Sequence, residues 1–151
     1  MKYAGAGSFQ RNRPLLSFAA GYAGRMADYS FRIATQDDIQ AITDIYNAAV
    51  IRGGSSADTT PRTYAQRKAW VESHHDPYAV FVTTVPATDA ATEGGERIIG
   101  FSALSVFYDR AGYDGVTDLA YYIAPEWQGR GAGTFTLARL LDECRNRHMR
   151  K

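Results

Sequence analysis

Apolar and polar positions change their period several times along this chain, and each change predicts an element. Phe31-Arg32-Ile33-Ala34 alternates and reads as a strand. Thr35-Gln36-Asp37-Asp38 fits the pattern of a helix capping box, a hydroxyl residue followed three positions later by an acid. Ile39, Ile42, Ile45, Tyr46, Ala49 and Val50 then recur at helical spacing, so a first helix is expected from about Asp37 to Ile51. Gly53-Gly54-Ser55-Ser56 breaks it. Thr63, with Gln66 three later, predicts the start of a second helix through Trp70 to about His74. Tyr78 to Val82 is a continuous apolar run expected as a buried strand. Pro86 to Gly95 is a polar, low-complexity connector. Arg97 to Val106 reads as a third strand, Tyr108 to Gly115 as a turn-rich excursion, and Val116 to Ala124 as a fourth strand stopped by Pro125. A glycine loop, Gln128 to Gly133, precedes a helix from Thr134 onward with Leu137, Leu141, Cys144 and His148 on one face. The order is β-α-α-β-β-β-loop-α, an α/β chain without internal repeats.

Composition narrows the class. At 151 residues the chain fits one domain, given about 150 residues per domain. Its hydrophobic fraction of 45% supports a core without staples. Basic and acidic residues number 17 and 16, a near balance that argues against nucleic acid as a partner. No apolar run approaches the ~18 residues of a membrane span. The single Cys excludes an intrachain disulfide and fits a reducing compartment, so a cytoplasmic location is expected. The first residues are rich in Gly and Ala, with Arg11, Arg13 and Arg25. Leu15 to Ala20 forms a weak apolar segment behind a basic start, which leaves a signal peptide as one reading. The favoured reading is a disordered extension over residues 1–28, or a true start at Met26, ahead of a domain over 29–151.

The glycine loop carries the chemistry. Gln128-Gly129-Arg130-Gly131-Ala132-Gly133 sits between a strand and a helix, where glycines let the backbone turn to positive φ and approach a ligand closely. The following amides and the positive end of the helix dipole make an anion site, for which a pyrophosphate is the natural guest. Arg130 adds a cation at the rim. The loop is neither a Walker loop nor a dinucleotide GxGxxG, and it lies late in the chain. A glycine turn without any ligand is the alternative from spacing alone.

Gln128-x-x-Gly131-x-Gly133 resembles the Q/R-x-x-G-x-G/A signature of the GCN5-related N-acetyltransferases. The wider chain resembles their phosphinothricin acetyltransferase branch. The matching stretches are Ile33-Ala34-Thr35 with Asp38, Ile45 to Val50, Thr60-Pro61-Arg62-Thr63, Trp70, Gly100-Phe101, Tyr113 and Tyr122-Ile123-Ala124-Pro125, covering Phe31 to Arg147. The resemblance implies a mixed, mostly antiparallel sheet flanked by helices, and acetyl-CoA as acyl donor. It implies that the pantetheine arm pairs with the backbone of Tyr121, Tyr122 and Ile123. It further implies that the pyrophosphate rests on the amides of Gly129, Arg130, Gly131, Ala132, Gly133 and Thr134, behind Gln128. No metal or flavin is implied.

Amine acetylation needs a deprotonated amine held close to the thioester. The family places a Glu on the fourth strand where this chain has Asp118, a shorter carboxylate that could act directly or through a water. If buried, its acidity would move toward the working range. The family's acceptor loop, F-R-x-R-x-A-Y, reads here Phe107-Tyr108-Asp109-Arg110-Ala111-Gly112-Tyr113. Arg110 is kept and could clamp a carboxylate; Tyr108 replaces the other Arg, so the herbicide substrate does not transfer with the resemblance. Tyr113 and Tyr46 complete the expected acceptor contacts, although Tyr46 also lies on the core stripe. His74-His75 does not face one way and is not a metal pair. Cys144 reads as core rather than nucleophile, and Trp70 as a packing residue.

The family fold continues past its third helix with further strands, one of which splays from the fourth. Those C-terminal strands are expected to be missing here, leaving Leu119, Leu137 and Leu141 facing water, so that either a longer chain or a partner would cover that edge. The reading is an N-acetyltransferase acting on the primary amine of a small molecule, an amino acid or analogue such as phosphinothricin or methionine sulfoximine. Partners expected are that amine and a second copy in a homodimer, without nucleic acid or membrane. The alternatives are a non-catalytic acetyl-CoA-binding or interaction module, or an acetyltransferase of protein N-termini.

Overall fold

The computed structural model describes residues 28–87 and 95–150. All but the last residue of the expected extension over 1–28, and most of the Pro86 to Gly95 connector, lie outside the described residues. The strands are β1 (Ser30–Ile33), β2 (Ala79–Pro86), β3 (Glu96–Val106) and β4 (Thr117–Ile123). The helices are α1 (Ile39–Arg52), α2 (Tyr64–Glu72) and α3 (Ala132–Asn146). Single helical turns occur at Gln36–Asp38, Ala111–Tyr113 and Pro125–Trp127.

The sheet runs in the order β1-β2-β3-β4, and every described pair is antiparallel. β2 is covered on both faces, which is why its sequence is apolar without alternation. Val80 and Val82 meet Ile42, Ile45, Tyr46 and Val50 of α1 on one face. Phe81 meets Leu140 of α3 on the other. Both capping boxes read from the sequence form, Thr35 with Asp38 and Thr63 with Gln66. Asp38 also takes the Arg32 guanidinium at 2.7 and 2.9 Å, tying β1 to the start of α1.

α3 begins at Ala132, two residues before the expected Thr134, so Ala132 and Gly133 belong to its first turn rather than to the loop. Its buried stripe also differs from the expected one. Ala132, Phe135, Thr136 and Leu140 face the sheet, whereas Leu141 is 39% exposed and Leu137 is half-buried. Thr136 is the reason the stripe is hard to see: its hydroxyl is buried at 2.6 Å from that of Thr83, so a polar residue occupies a core position. Leu119 is 37% exposed. Arg150 closes the far end, its amide and guanidinium donating to Gly115 O (2.7 Å) and Asp114 O (2.9 Å) just ahead of β4.

A bulge interrupts the β2–β3 ladder, while β3 and β4 pair in unbroken register. Thr83 pairs with Gly100, but Thr84 pairs with Ile98, so Ile99 is the extra residue on β3. Ile99 packs beside Val85 and Ala132, on the α3 side. A Cβ at Gly100 would stand 2.6 Å from Ile123 Cδ1 and 2.9 Å from the Tyr122 carbonyl oxygen. Only hydrogen fits there. Gly100→Ala should therefore destabilise the fold by about 1–3 kcal/mol through overpacking, measured as a lower denaturation midpoint; an unchanged midpoint would mean that β4 moves freely against β3.

Candidate functional site

Ladder geometry decides which groups of β4 are available. Ala124 N–H donates to the Ile99 carbonyl at 2.8 Å. Antiparallel alternation then turns the backbone groups of Tyr122, Ala120 and Asp118 toward β3, and those of Leu119, Tyr121 and Ile123 toward the free edge. The Ile123 carbonyl on that edge accepts Gln128 Nε2 at 2.9 Å. Gln128 Oε1 in turn accepts Arg52 Nη1 at 2.6 Å. Gln128 thus works as a staple joining α1, β4 and the glycine loop, a role that the sequence position alone does not disclose.

The loop has the predicted backbone. Gly129 and Gly131 sit at φ +72° and +91°, with open space where a Cβ would be. Gly131 is the residue that caps α3, so the amides of the first helical turn follow it directly. Gly133 differs: its φ is ordinary, and a Cβ there would make normal contacts of 3.7 and 3.9 Å with Tyr121 and Ile123. Arg130 and Thr134 are exposed at the rim. Arg130 stacks on Trp127 at 5.3 Å, and its carbonyl accepts the Tyr29 hydroxyl at 2.9 Å. A cavity of about 260 Å3 lies between this loop and β4, lined by Ala49, Ser55, Tyr121, Tyr122, Ile123, Gln128, Gly129 and Gly133. It adjoins a second of about 350 Å3 that shares Ala49, Ser55, Ile123 and Gln128 and extends to Arg52 and Pro125. Free edge amides, open helix-start amides and a groove joining them suit an extended thioester with a phosphate group at one end. A wider concavity, about 630 Å3, lies between β1 and α3 and contains none of the predicted site residues. Its Arg139 and Arg145 pair with Asp142.

Side-chain alternation along β4 separates two environments. Tyr121 and Ile123 face α3 and Gly133. Tyr122 faces α1 and α2, stacked on Phe101 (5.2 Å) and edge-on to Tyr46 (5.3 Å). Strand alternation places Ala120 and Asp118 on the same side as Tyr122. Asp118 is exposed rather than buried, because it stands at the outer end of β4, opposite Ser105, beyond the cover of the helices. Its carboxylate has no hydrogen bond or ion pair among the described residues.

The expected acceptor residues do not form one cluster. Tyr46 is buried in the core, and its hydroxyl is committed to Asp58 (2.5 Å) and Ser56 (2.8 Å). Arg110 and Tyr113 are exposed in the loop before β4, where both rest on Tyr108. No hydrogen bond or ring contact among the described residues joins them to Tyr46.

Sequence reasoning missed two groups at Tyr46, Asp58 and Arg67, and a third, His74, after the end of α2. Asp58 is held by the Arg62 guanidinium (Nε at 2.7 Å). That ion pair and the Tyr46 hydroxyl keep its carboxyl far below the ordinary range, so it stays ionised and is no proton acceptor. Arg67 is 5% exposed, with its guanidinium 3.7 Å over the Tyr46 ring and 4.7 Å over Trp70. His74, dismissed as a metal ligand, lies between the Trp70 carbonyl and the Ser105 hydroxyl, each at 2.8 Å. Helical periodicity could have flagged Arg67, which follows Thr63 by one turn. Nothing in the sequence pairs His74 with a residue 31 positions away.

Cys144 packs beside Phe81, Leu104 and Leu140, and burial pushes its thiol up, consistent with a core role. No group of three His, Cys, Asp or Glu side chains gathers as metal ligands among the described residues. No described helix is long and apolar enough to cross a membrane.

Comparisons with known proteins agree with this fold. The family model described as "Acetyltransferase (GNAT) family" matches residues 39–151. An N-acetyltransferase of Streptomyces griseus is 31% identical over 118 residues, 77% of this chain and 59% of that protein. A phosphinothricin N-acetyltransferase of Streptomyces coelicolor is also 31% identical, over 77% of this chain and 65% of its own length. The chain thus spans about three-fifths of these relatives. A phosphinothricin acetyltransferase of the GNAT superfamily from Sinorhizobium meliloti, solved in complex with acetyl-CoA, superposes with a TM-score of 0.63 at 26% identity, over 78% of this chain and 60% of that one.

Proposed function

Because the chain belongs to the acetyltransferase (GNAT) family, we propose that it transfers an acetyl group from acetyl-CoA to the primary amine of a small molecule, an amino acid or an analogue. The observation that carries this reading is the free edge of β4 beside the capped start of α3, with one groove running along both.

In this reading the amides of Gly129 to Thr134 hold the pyrophosphate, and Arg130 adds charge at the rim. The outward backbone groups of Tyr121 and Ile123 pair with the pantetheine arm, while Gln128 and Arg52 keep the loop against the strand. The amine approaches from the Tyr122 side. Its nitrogen bonds to the acetyl carbon as the carbon–sulfur bond breaks. Its proton passes to Asp118, directly or through a water, and the sulfur leaves as thiolate. The oxygen that gains charge faces the outward amides of β4, donors fixed in advance by the ladder. Arg110 is the partner for an acceptor carboxylate, with Tyr113 beside it. The substrate named for the Streptomyces coelicolor relative supports a small amine as acceptor.

One observation favours a second reading, binding without turnover. Leu119, Tyr121 and Leu141 are exposed along the free edge and the neighbouring face of α3, so a competent site could require a further covering element. Calorimetric titration with acetyl-CoA, run beside a thiol-release assay on a panel of amino acids, separates the two. Binding with release for at least one amino acid is the expected result. Binding without release favours the second reading, and no binding sinks both.

A further inference from the structure

The contact between His74 and Ser105 has a defined direction. The Trp70 carbonyl can only accept, so the His74 Nδ1 that lies 2.8 Å from it carries the proton. A neutral imidazole then has Nε2 as an acceptor, and the hydroxyl 2.8 Å away on Ser105 must donate to it. Burial favours this neutral form by pushing the imidazole down from its ordinary range, with neighbouring His75 adding to the effect.

Ser105 stands directly opposite Asp118 in the β3–β4 ladder. Opposed residues share a face, with Cβ atoms about 5 Å apart, so the hydroxyl and the carboxylate are within reach of one another. With its only proton turned to His74, Ser105 has nothing to donate to Asp118. The carboxylate is left without a hydrogen bond among the described residues. An unoccupied carboxylate is the stronger base, because each donor bond stabilises the ionised form.

We propose that His74 is a positioning residue of the acetyl transfer: by holding the Ser105 proton it prevents that hydroxyl from capping Asp118, and so keeps the carboxylate free to take the proton of the acceptor amine. This rests on Asp118 being the base of the proposed reaction. Protonation of His74 reverses the arrangement. Nε2–H then donates to Ser105, whose proton turns to Asp118 and weakens it. Among the described residues the ionisable groups around this switch are His75 beside His74 on the segment after α2, Asp118 on β4 and, across the Trp70 ring, Arg67 of α2; β3 contributes Ser105.

The test is a pH series of kcat/KM on the folded chain, checked by thermal melting, with Asp118→Asn in the same set. His74→Phe keeps the aromatic contact with Trp70 (4.6 Å) but releases the Ser105 hydroxyl. It should lower kcat/KM about tenfold, the effect of one hydrogen bond to a charged group, and move the acidic limb to lower pH. Adding Ser105→Ala to His74→Phe should restore most of the loss, since the capping hydroxyl is gone. A purely structural role for His74 predicts no rescue. His74→Gln retains an acceptor and should stay close to the parent at neutral pH, and it decides the matter if His74→Phe does not fold. A folded His74→Gln as slow as Asp118→Asn, an unchanged His74→Phe, or a double variant no better than His74→Phe would overturn the proposal. If Asp118→Asn turns over normally, the base assignment itself falls. If it is slow and the rescue fails, only the role of His74 falls.

Discussion

Gly131→Ala is expected to weaken acetyl-CoA binding by about tenfold, an energy of about 1.4 kcal/mol, while Gly133→Ala changes it by less than about threefold. The two glycines are two residues apart and look equivalent in the motif. They are not equivalent in the backbone. Gly131 lies at φ +91° and ψ −8°, the left-handed region, as the cap of α3. A side chain there meets no neighbour, so the cost is entirely conformational, roughly 1–2 kcal/mol. The chain can relieve it only by rotating the peptide that aims the first amides of α3 into the groove. Gly133 is already helical, with van der Waals room for a methyl group against Tyr121 and Ile123. Alanine there gains helix propensity of up to about 1 kcal/mol. The distinction explains why the family signature fixes Gly at the first position and admits Gly or Ala at the second. Calorimetry with acetyl-CoA, paired with melting curves, reads both effects. Equal losses for the two variants would show that bulk in the loop, not backbone angle, controls the site.

Asp118→Asn should lower kcat by about 10²- to 10⁴-fold, the range of a lost general base, and leave acetyl-CoA affinity unchanged within about twofold. The separation follows from position along the strand. Asp118 projects to the α1 and α2 side at the far end of β4, whereas the groove beside Gly133 is lined by Tyr121, Tyr122 and Ile123 at the end near Gln128. Asn preserves size and removes the proton acceptor. Raising the pH should recover part of the loss, because more of the acceptor amine is then already deprotonated. A fall in acetyl-CoA affinity with unchanged kcat would move Asp118 out of the base role.

The order of elements was legible because each announces itself locally. Capping boxes at Thr35 and Thr63, the glycines at 53 and 54, and Pro125 mark ends that short-range chemistry enforces. The glycine loop was legible for the same reason, since positive φ leaves a residue-type signature. What stayed hidden depends on pairings between distant segments. The bulge at Ile99 is a property of β2 and β3 in register, and the close approach of Tyr122 and Ile123 that makes Gly100 obligatory is a property of β3 and β4. Thr136 looks polar until Thr83 is set against it. Asp58 with Arg62 and Tyr46, and His74 with Ser105, are contacts that no periodicity encodes. Tyr46, expected both as an acceptor contact and on the core stripe, spends its hydroxyl inside the protein on Asp58 and Ser56, partners that its position in the sequence does not announce.

The layout along β4 has a kinetic meaning under the proposed function. In that reading the strand is a bulkhead one residue thick: the donor lies against its Gln128 end, where Tyr121, Tyr122 and Ile123 line the groove, and the acceptor lies toward Asp118. The two meet only at the backbone rim. Neither blocks the doorway of the other, so both can be aboard at once and transfer needs no acetylated side chain as a way station. Substitutions also become separable. In that reading positions 118 and 120 are expected to tune which amine is accepted, and positions 121 to 123 how tightly the donor is held. A change of substrate range is then expected from substitutions at the Asp118 end that leave donor binding at the other end undisturbed.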